Sequence, residues 1–263
     1  MTIPVPNRPR LLLIHGAWAG AWVWDGLRQP LADLGWESEA LDLPGDGFHP
    51  IPAERVTEAD FERCLVDALD AESGPVVLVG HSGGGMLVTL GATLRPDRVS
   101  HGIWIAGFLM PDGALFDDIE AEVAGDTAPI GVGPHIQPSR DGRTTTVGPD
   151  AAIAHFFHDA PDDIAAAVAA RLTPQPVSGA RLSTVAGPGF GDLPKLYVLA
   201  SDDRSVLPAA QRLMCEGIPG LTVAEIDAGH APQLTRAEEL AELLDRWLTA
   251  SLPPVSLIGG GAD

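Results

Sequence analysis

A serine between glycines follows a short apolar run in the first third of the chain. The run PVVLVG at 75–80 continues into HSGG, so residues 80–84 match the pattern Gly-x-Ser-x-Gly. Between a strand and a helix, this pattern bends the chain sharply and exposes the serine hydroxyl, and glycines at both ends avoid clashes with neighbouring elements. We predict that Ser82 is a nucleophile; a glycine-rich turn with a chance serine is the alternative.

Backbone N–H groups near this serine offer a site for negative charge. A helix that starts after Ser82 has unpaired N–H groups and a positive dipole end, so the Gly83 N–H is predicted to hold an oxyanion. The loop HGAWAGAW at 15–22 follows the first predicted strand, and its Ala17 N–H is the candidate second donor. Trp18 is predicted to form part of the pocket wall.

A serine hydroxyl needs a base, and two later turns supply a base and an acid. The segment IDAGHAPQ places His230 just after a predicted strand, and LASDDRSVLP places Asp202 and Asp203 just after the preceding one. The order serine, acid, histidine fits a known arrangement of a catalytic triad, in which the acid accepts from His Nδ1–H. The spacing leaves open which aspartate is the acid.

The elements around these turns alternate between apolar runs and helical patterns. Strands are predicted at 10–16, 37–45, 75–80, 101–107, 195–201 and 221–229, and helices at 19–34, 57–71, from the glycine turn to Leu94, at 208–216 and at 235–248. Pro30 is expected to bend or end the first helix, and Thr235 to cap the last. The alternation predicts an α/β fold, with a mostly parallel sheet, helices on both faces and ligands beyond the C-terminal strand ends.

Residues 111–190 differ from the rest in composition. They are rich in Pro, Gly and Asp and contain one convincing helix pair, near 150–159 and 161–172. We predict that they form an inserted lid over a core made of residues 1–110 and 191–263. Phe156 and Phe157 are predicted to close an apolar pocket.

Other classes of site are disfavoured. His155, His158 and Asp159 suggest a metal site, but no further ligands cluster in the sequence, so we predict neither a metal nor a cofactor. The net charge of −20 repels nucleic acid, and no apolar run is long enough to cross a bilayer. We expect a cytoplasmic, bacterial protein, monomeric or homodimeric, with a small-molecule partner.

Three segments resemble one family: LLLIHGAWAGAWVWDGLRQPLADLGWESEALDLPG, VVLVGHSGGGM, and DRSVLPAAQR with IDAGHAPQLTRAEELAELL. They are similar to the α/β-hydrolases that include plant methyl esterases and hydroxynitrile lyases, with their bacterial esterase relatives. The site residues implied by this resemblance are Ser82 as nucleophile, His230 as base, Asp203 as acid, and Ala17 and Gly83 as oxyanion donors. The resemblance favours Asp203 because the family's acid often precedes a run ending in LP.

Two departures bear on the reaction. The cyanogenic lyases carry a lysine directly after the histidine and a threonine near the first oxyanion turn, where this chain has Ala231 and Gly16. The resemblance therefore implies a serine hydrolase acting on a small to medium carboxylic ester, thioester or lactone. A lyase or cyclase of a specialised, polyketide-like metabolite that uses the same residues is the alternative, and a non-catalytic binding protein is the second alternative.

Overall fold

The computed structural model describes residues 8–110, 113–125, 131–182 and 185–252. The predicted core ends at 1–7 and 253–263, and parts of the predicted lid at 111–112, 126–130 and 183–184, lie outside the described residues. Among the helices of the described ranges, none is long and apolar enough to span a membrane.

Strands and helices alternate along most of the chain. The strands are β1 (Leu11–Ile14), β2 (Ser38–Leu41), β3 (Val76–His81), β4 (Val99–Ile105), β5 (Ile136–Pro138), β6 (Thr144–Val147), β7 (Gln175–Pro176), β8 (Lys195–Ala200) and β9 (Leu221–Ile226). The helices are α1 (Asp25–Asp33), α2 (Glu58–Ala71), α3 (Gly85–Leu94), α4 (Phe116–Ala124), α5 (Pro149–Phe156), α6 (Asp162–Ala169), α7 (Pro208–Cys215), α8 (Pro232–Thr235) and α9 (Ala237–Ser251). Short 3₁₀ helices cover Ala21–Trp24 and Ser82–Gly84.

The main sheet of the described residues has the strand order β2-β1-β3-β4-β8-β9, and all its pairings are parallel. Its inner strands β1 and β3 are mainly apolar because both faces are covered. Parallel pairing brings the carboxyl ends of all these strands to one edge. The predicted α/β architecture, with a mostly parallel sheet, is confirmed.

Alternate residues of each strand feed two separate cores. Leu11 and Leu13 pack with α1 and α9, whereas Leu12 and Ile14 pack with α2 and α3. This alternation follows from the two-residue period of a strand. Helices therefore cover both faces of the sheet, as predicted.

The segment between β4 and β8 contains more structure than the sequence suggested. The predicted helix pair corresponds to α5 and α6, but α4 and a small antiparallel sheet of β5, β6 and β7 were not anticipated. Strands of two to four residues are too short to show a clear alternation of apolar and polar positions. The assignment of residues 111–190 as a lid stays a prediction.

Two expectations concern helix ends. Pro30 does not end α1, which continues to Asp33, and the Leu34 N–H donates to the Pro30 carbonyl; the expected bend stays a prediction. The expectation that Thr235 caps the last helix is wrong, because Thr235 is the final residue of α8 and its hydroxyl donates to Asp159 Oδ2 over 2.8 Å. The break comes at Arg236, and α9 starts at Ala237.

Candidate active site

Ser82 stands at the sharp turn where β3 passes into a 3₁₀ turn and then α3. Its φ of 51° lies in the left-handed region that is costly for a residue with a side chain. The glycines around it are required by space: a Cβ added to Gly80 would lie 2.5 Å from the Gly84 carbonyl oxygen, and one added to Gly84 would lie 2.5 Å from the His15 carbonyl oxygen. The sequence thus folds into the strained turn that the pattern predicts.

His230 and Asp203 meet beside this turn. His230 Nδ1 lies 2.8 Å from Asp203 Oδ2, and both side chains are buried. The other carboxylate oxygen, Oδ1, accepts the Ser205 and Val206 N–H groups at 2.7 and 3.0 Å. Asp203 is therefore held as a hydrogen-bond acceptor facing the imidazole.

The neighbouring aspartate points elsewhere. The side chain of Asp202 is 59% exposed, and its Oδ2 lies 3.0 Å from His158 Nε2. Of the two candidates that the sequence left open, only Asp203 contacts His230 in the described residues.

Gln211 is a residue that the sequence reasoning missed. Its side chain on α7 is completely buried, and its Nε2 lies 3.1 Å from Asp203 Oδ2. The same amide also bonds to the Ala200 N–H, the Ala200 carbonyl and the Val206 carbonyl, so it fastens the end of β8 to the turn that carries Asp203. The signal available in the sequence was a glutamine on the apolar face of a predicted amphipathic helix.

His81, between Gly80 and Ser82, contacts the backbone of His230. Its Nε2 lies 2.7 Å from the His230 carbonyl oxygen, and the two ring centroids are 4.7 Å apart. Burial first, and then the nearby rings of His230 and His15, hold the pKa of His81 well below its ordinary value. The neutral ring donates its Nε2–H to this carbonyl and so fixes the backbone of His230.

The loop after β1 lies against Ser82. A Cβ added to Gly16 would lie 3.2 Å from Ser82 Oγ, and one added to Gly83 would lie 3.8 Å from the Ala17 nitrogen. His15 anchors this loop: Nε2 accepts the Leu43 N–H at 3.1 Å, and Nδ1 faces the Gly16 carbonyl at 2.8 Å. Burial lowers the pKa of His15 to about 4, so it stays neutral and adds no charge to the site.

The three predicted pocket aromatics pack together beside the histidine. Trp18 stacks on Phe156 at 5.8 Å, Phe156 contacts Phe157 edge-on, and the Phe156 ring lies 5.4 Å from that of His230. All three line a small cavity that also reaches Ser82 and His230. Trp18 alone of the three also lines the larger cavity described next.

A cavity of about 720 Å³ opens beside Ser82. This volume suits a drug-sized molecule. Its walls are mainly apolar and come from the core and from the segment between β4 and β8; they include Met86, Phe108, Met110, Phe116, Val132 and Ile136. In the part of the chain that the structure describes, no lysine or arginine lines it.

The residues HFFHD at 155–159 join this segment to both turns of the site. His155 Nδ1 lies 2.8 Å from the Arg204 carbonyl oxygen, and His158 bonds to Asp202. Asp159 Oδ2 accepts the Gly229 N–H at 2.9 Å as well as the Thr235 hydroxyl. The two histidines thus bind separate partners, and no cluster of three or more metal-ligating side chains occurs among the described residues.

The fold and the arrangement of a strained serine, a buried histidine and a buried aspartate define a serine hydrolase. Residues 11–243 match the model of the Alpha/beta hydrolase family. The chain belongs to the Alpha/beta hydrolase family.

Relatives cover nearly the whole chain. Esterase PIR7B of Oryza sativa subsp. japonica is 29% identical over 93% of this chain and 97% of its own length. Methylesterase 7 of Arabidopsis thaliana is 28% identical over 90% of this chain and 95% of its own. The crystal structure of a pyrethroid hydrolase from Sphingobium faniae JZ-2 has a TM-score of 0.82 and 25% identity, and the match covers 92% of this chain and 98% of that one. The predicted resemblance to the methyl esterase group is confirmed.

Proposed function

We propose that the protein hydrolyses a bulky, largely apolar carboxylic ester through an acyl-enzyme. The observation that carries this proposal is the position of Ser82 in the wall of an apolar cavity of about 720 Å³, next to the His230–Asp203 pair. In this proposal Ser82 is the nucleophile, His230 the base, Asp203 the acid, and Ala17 and Gly83 the oxyanion donors.

The proposed steps follow from the geometry of the pair. Nδ1 of His230 faces Asp203, so Nε2 is the nitrogen available to take the Ser82 proton. Ser82 Oγ then attacks the ester carbonyl, and the Ala17 and Gly83 N–H groups stabilise the oxyanion. His230 passes the proton to the leaving alcohol, and afterwards activates the water that releases the acid.

The names of the relatives support an ester as the substrate, and the pyrethroid hydrolase supports a bulky one. The residue after the proposed base, Ala231, is buried and uncharged, so no cation stands there to stabilise a cyanide ion. With the excess of acidic residues, this favours hydrolysis of a small molecule over cyanohydrin cleavage or nucleic-acid binding. We also infer a lid role for residues 111–190 and a cytoplasmic location.

A fluorophosphonate probe tests the nucleophile. We expect one covalent adduct by intact mass on the wild-type protein and on Ser251→Ala, a control at the far end of α9. Ser82→Ala should stay folded, form no adduct and lose at least about 10³-fold in kcat. Labelling of Ser82→Ala equal to that of the wild type would contradict the assignment.

An ester panel tests the substrate class. We expect 4-nitrophenyl esters of bulky apolar acids to give higher kcat/KM than the acetate, because the cavity buries the extra apolar surface. Product analysis should find one acid and one alcohol. Turnover of a carbonyl substrate without hydrolysis of any ester would favour the lyase or cyclase alternative instead.

A further inference from the structure

Two carboxylates on α4 stand out in the otherwise apolar cavity. Asp117 is exposed, whereas Glu120 is half-buried, and both line the cavity. Neither oxygen of Glu120 has a hydrogen-bond or ion-pair partner among the described residues. The Glu120 carboxylate lies against glycine backbone, since a Cβ added to Gly133 would be 3.2 Å from Oε2.

No cationic side chain in the described cavity wall pairs with the Glu120 carboxylate. The lining has no lysine or arginine, and His15 stays neutral because burial lowers its pKa to about 4. Burial, assisted by Asp117, raises the pKa of Glu120 to about 7. A ligand with a cationic group would favour the ionised form of Glu120 and would pair with its charge.

Aromatic rings line the same cavity as Glu120. Phe116 precedes Glu120 by four residues on α4, so the two side chains share one face of the helix. The Phe116 ring stacks on Phe108 with centroids 4.1 Å apart, and both rings line the cavity. Aromatic faces attract organic ammonium groups, and a carboxylate in the same cavity adds an opposite charge.

We propose that Glu120 and Phe116 form a cation-binding subsite, and that the substrate class is a hydrophobic ester that carries an ammonium group. The substrate part of this inference rests on the proposed ester hydrolysis. The subsite and Ser82 line the same cavity, and in this proposal a bound cation leaves the rest of the ester along the apolar wall. Esters that carry a carboxylate are repelled by the negative charges of Glu120 and Asp117.

Binding of phenyltrimethylammonium tests the subsite without any reaction. We expect calorimetry to show at least about tenfold weaker binding to Glu120→Gln than to the wild type, the size of a lost bond to a charged group. Glu122→Gln, which removes an exposed charge from the same helix, is the matched control and should bind like the wild type. Equal binding by all three proteins, or no binding by the wild type, would overturn the proposal.

A matched ester pair connects the subsite to turnover. Choline butyrate and 3,3-dimethylbutyl butyrate have the same shape and differ in charge. We expect the wild type and Glu122→Gln to favour the choline ester in kcat/KM, and Glu120→Gln to lose about tenfold of that preference. If both esters are hydrolysed with a ratio that ignores Glu120, the subsite fails and hydrolysis stands. If ammonium binding depends on Glu120 but neither these two esters nor any 4-nitrophenyl ester of the panel reacts, the subsite stands and ester hydrolysis fails.

Discussion

Gln211 Nε2 lies 3.1 Å from Asp203 Oδ2, the same oxygen that faces His230 Nδ1 at 2.8 Å. One buried amide therefore shares an acceptor with the proposed base. A donor to an ionised carboxylate stabilises its charge and fixes its orientation, and here the donor is itself held by the end of β8. The geometry of the proposed triad thus depends on a side chain that does not reach the substrate.

We expect Gln211→Met to lower kcat by about tenfold and to leave KM within about twofold, because it removes a hydrogen bond worth roughly 1–2 kcal/mol from the acid and not from the binding cavity. The pH dependence of kcat/KM should move as well, since the charge on Asp203 loses a donor. Gln29→Met, an exposed change on α1, is the control. An unchanged kcat and pH profile in Gln211→Met would show that the amide only supports the fold.

Asp159 connects the segment between β4 and β8 to the turn that carries His230. Its Oδ2 accepts bonds from residues on either side of that histidine, Gly229 and Thr235. We expect Asp159→Ala to raise hydrogen–deuterium exchange at 228–235 and to lower kcat by about tenfold. Asp163→Ala, at the exposed start of α6, should change neither quantity. Faster exchange without any loss of kcat would show that catalysis does not depend on the hydrogen bonds between Asp159 and this turn.

Asp46 is a buried carboxyl group without a hydrogen-bond partner among the described residues. Burial first, and then the charge of Asp42, raises its pKa to about 8. The folded-state pKa is above the unfolded one, so between about pH 4 and pH 8 the unfolded state releases this proton first. Each unit of rising pH in that window then lowers the free energy of unfolding by about 1.4 kcal/mol, and below the window this group does not change the stability.

We therefore expect the stability of Asp46→Asn, relative to the wild type, to rise steadily from pH 5 to pH 8. Urea unfolding at several pH values measures the difference, and the cost of a buried amide does not affect its slope. Asp150→Asn, an exposed change, should give a constant difference. Parallel curves for Asp46→Asn and the wild type would contradict the prediction.

Two neighbouring glycines after Ser82 should respond differently to a methyl group. A Cβ on Gly84 would lie 2.5 Å from a backbone oxygen, whereas the nearest heavy atom to a Cβ on Gly83 is 3.8 Å away. We expect Gly84→Ala to destabilise the protein by about 1–3 kcal/mol or to prevent folding, and Gly83→Ala to remain as stable as the wild type. Urea midpoints compare the two. Similar midpoints would show that the turn can shift to admit the methyl group.

Several features were readable without coordinates because their signals are local. The central strands β1 and β3 are apolar runs, and the helix predicted at 57–71 begins where the Asp60 carboxylate accepts the Thr57 N–H. The turn at Ser82 was predictable because only glycine avoids the close contacts at positions 80 and 84. These are properties of a few consecutive residues, and the fold class followed from their order along the chain.

Other features depend on which side chains meet across the fold. Asp202 and Asp203 are adjacent in sequence and chemically identical, and only the tertiary structure turns one towards His230 and the other towards solvent. The contact of Gln211 with Asp203 and that of Asp159 with Gly229 join separate elements. The cavity that Glu120 lines is assembled from separate parts of the chain, including α3, α4 and the residues near Gly133. A one-dimensional pattern carries no record of such contacts, because their energy comes from burial and pairing between segments far apart in the chain.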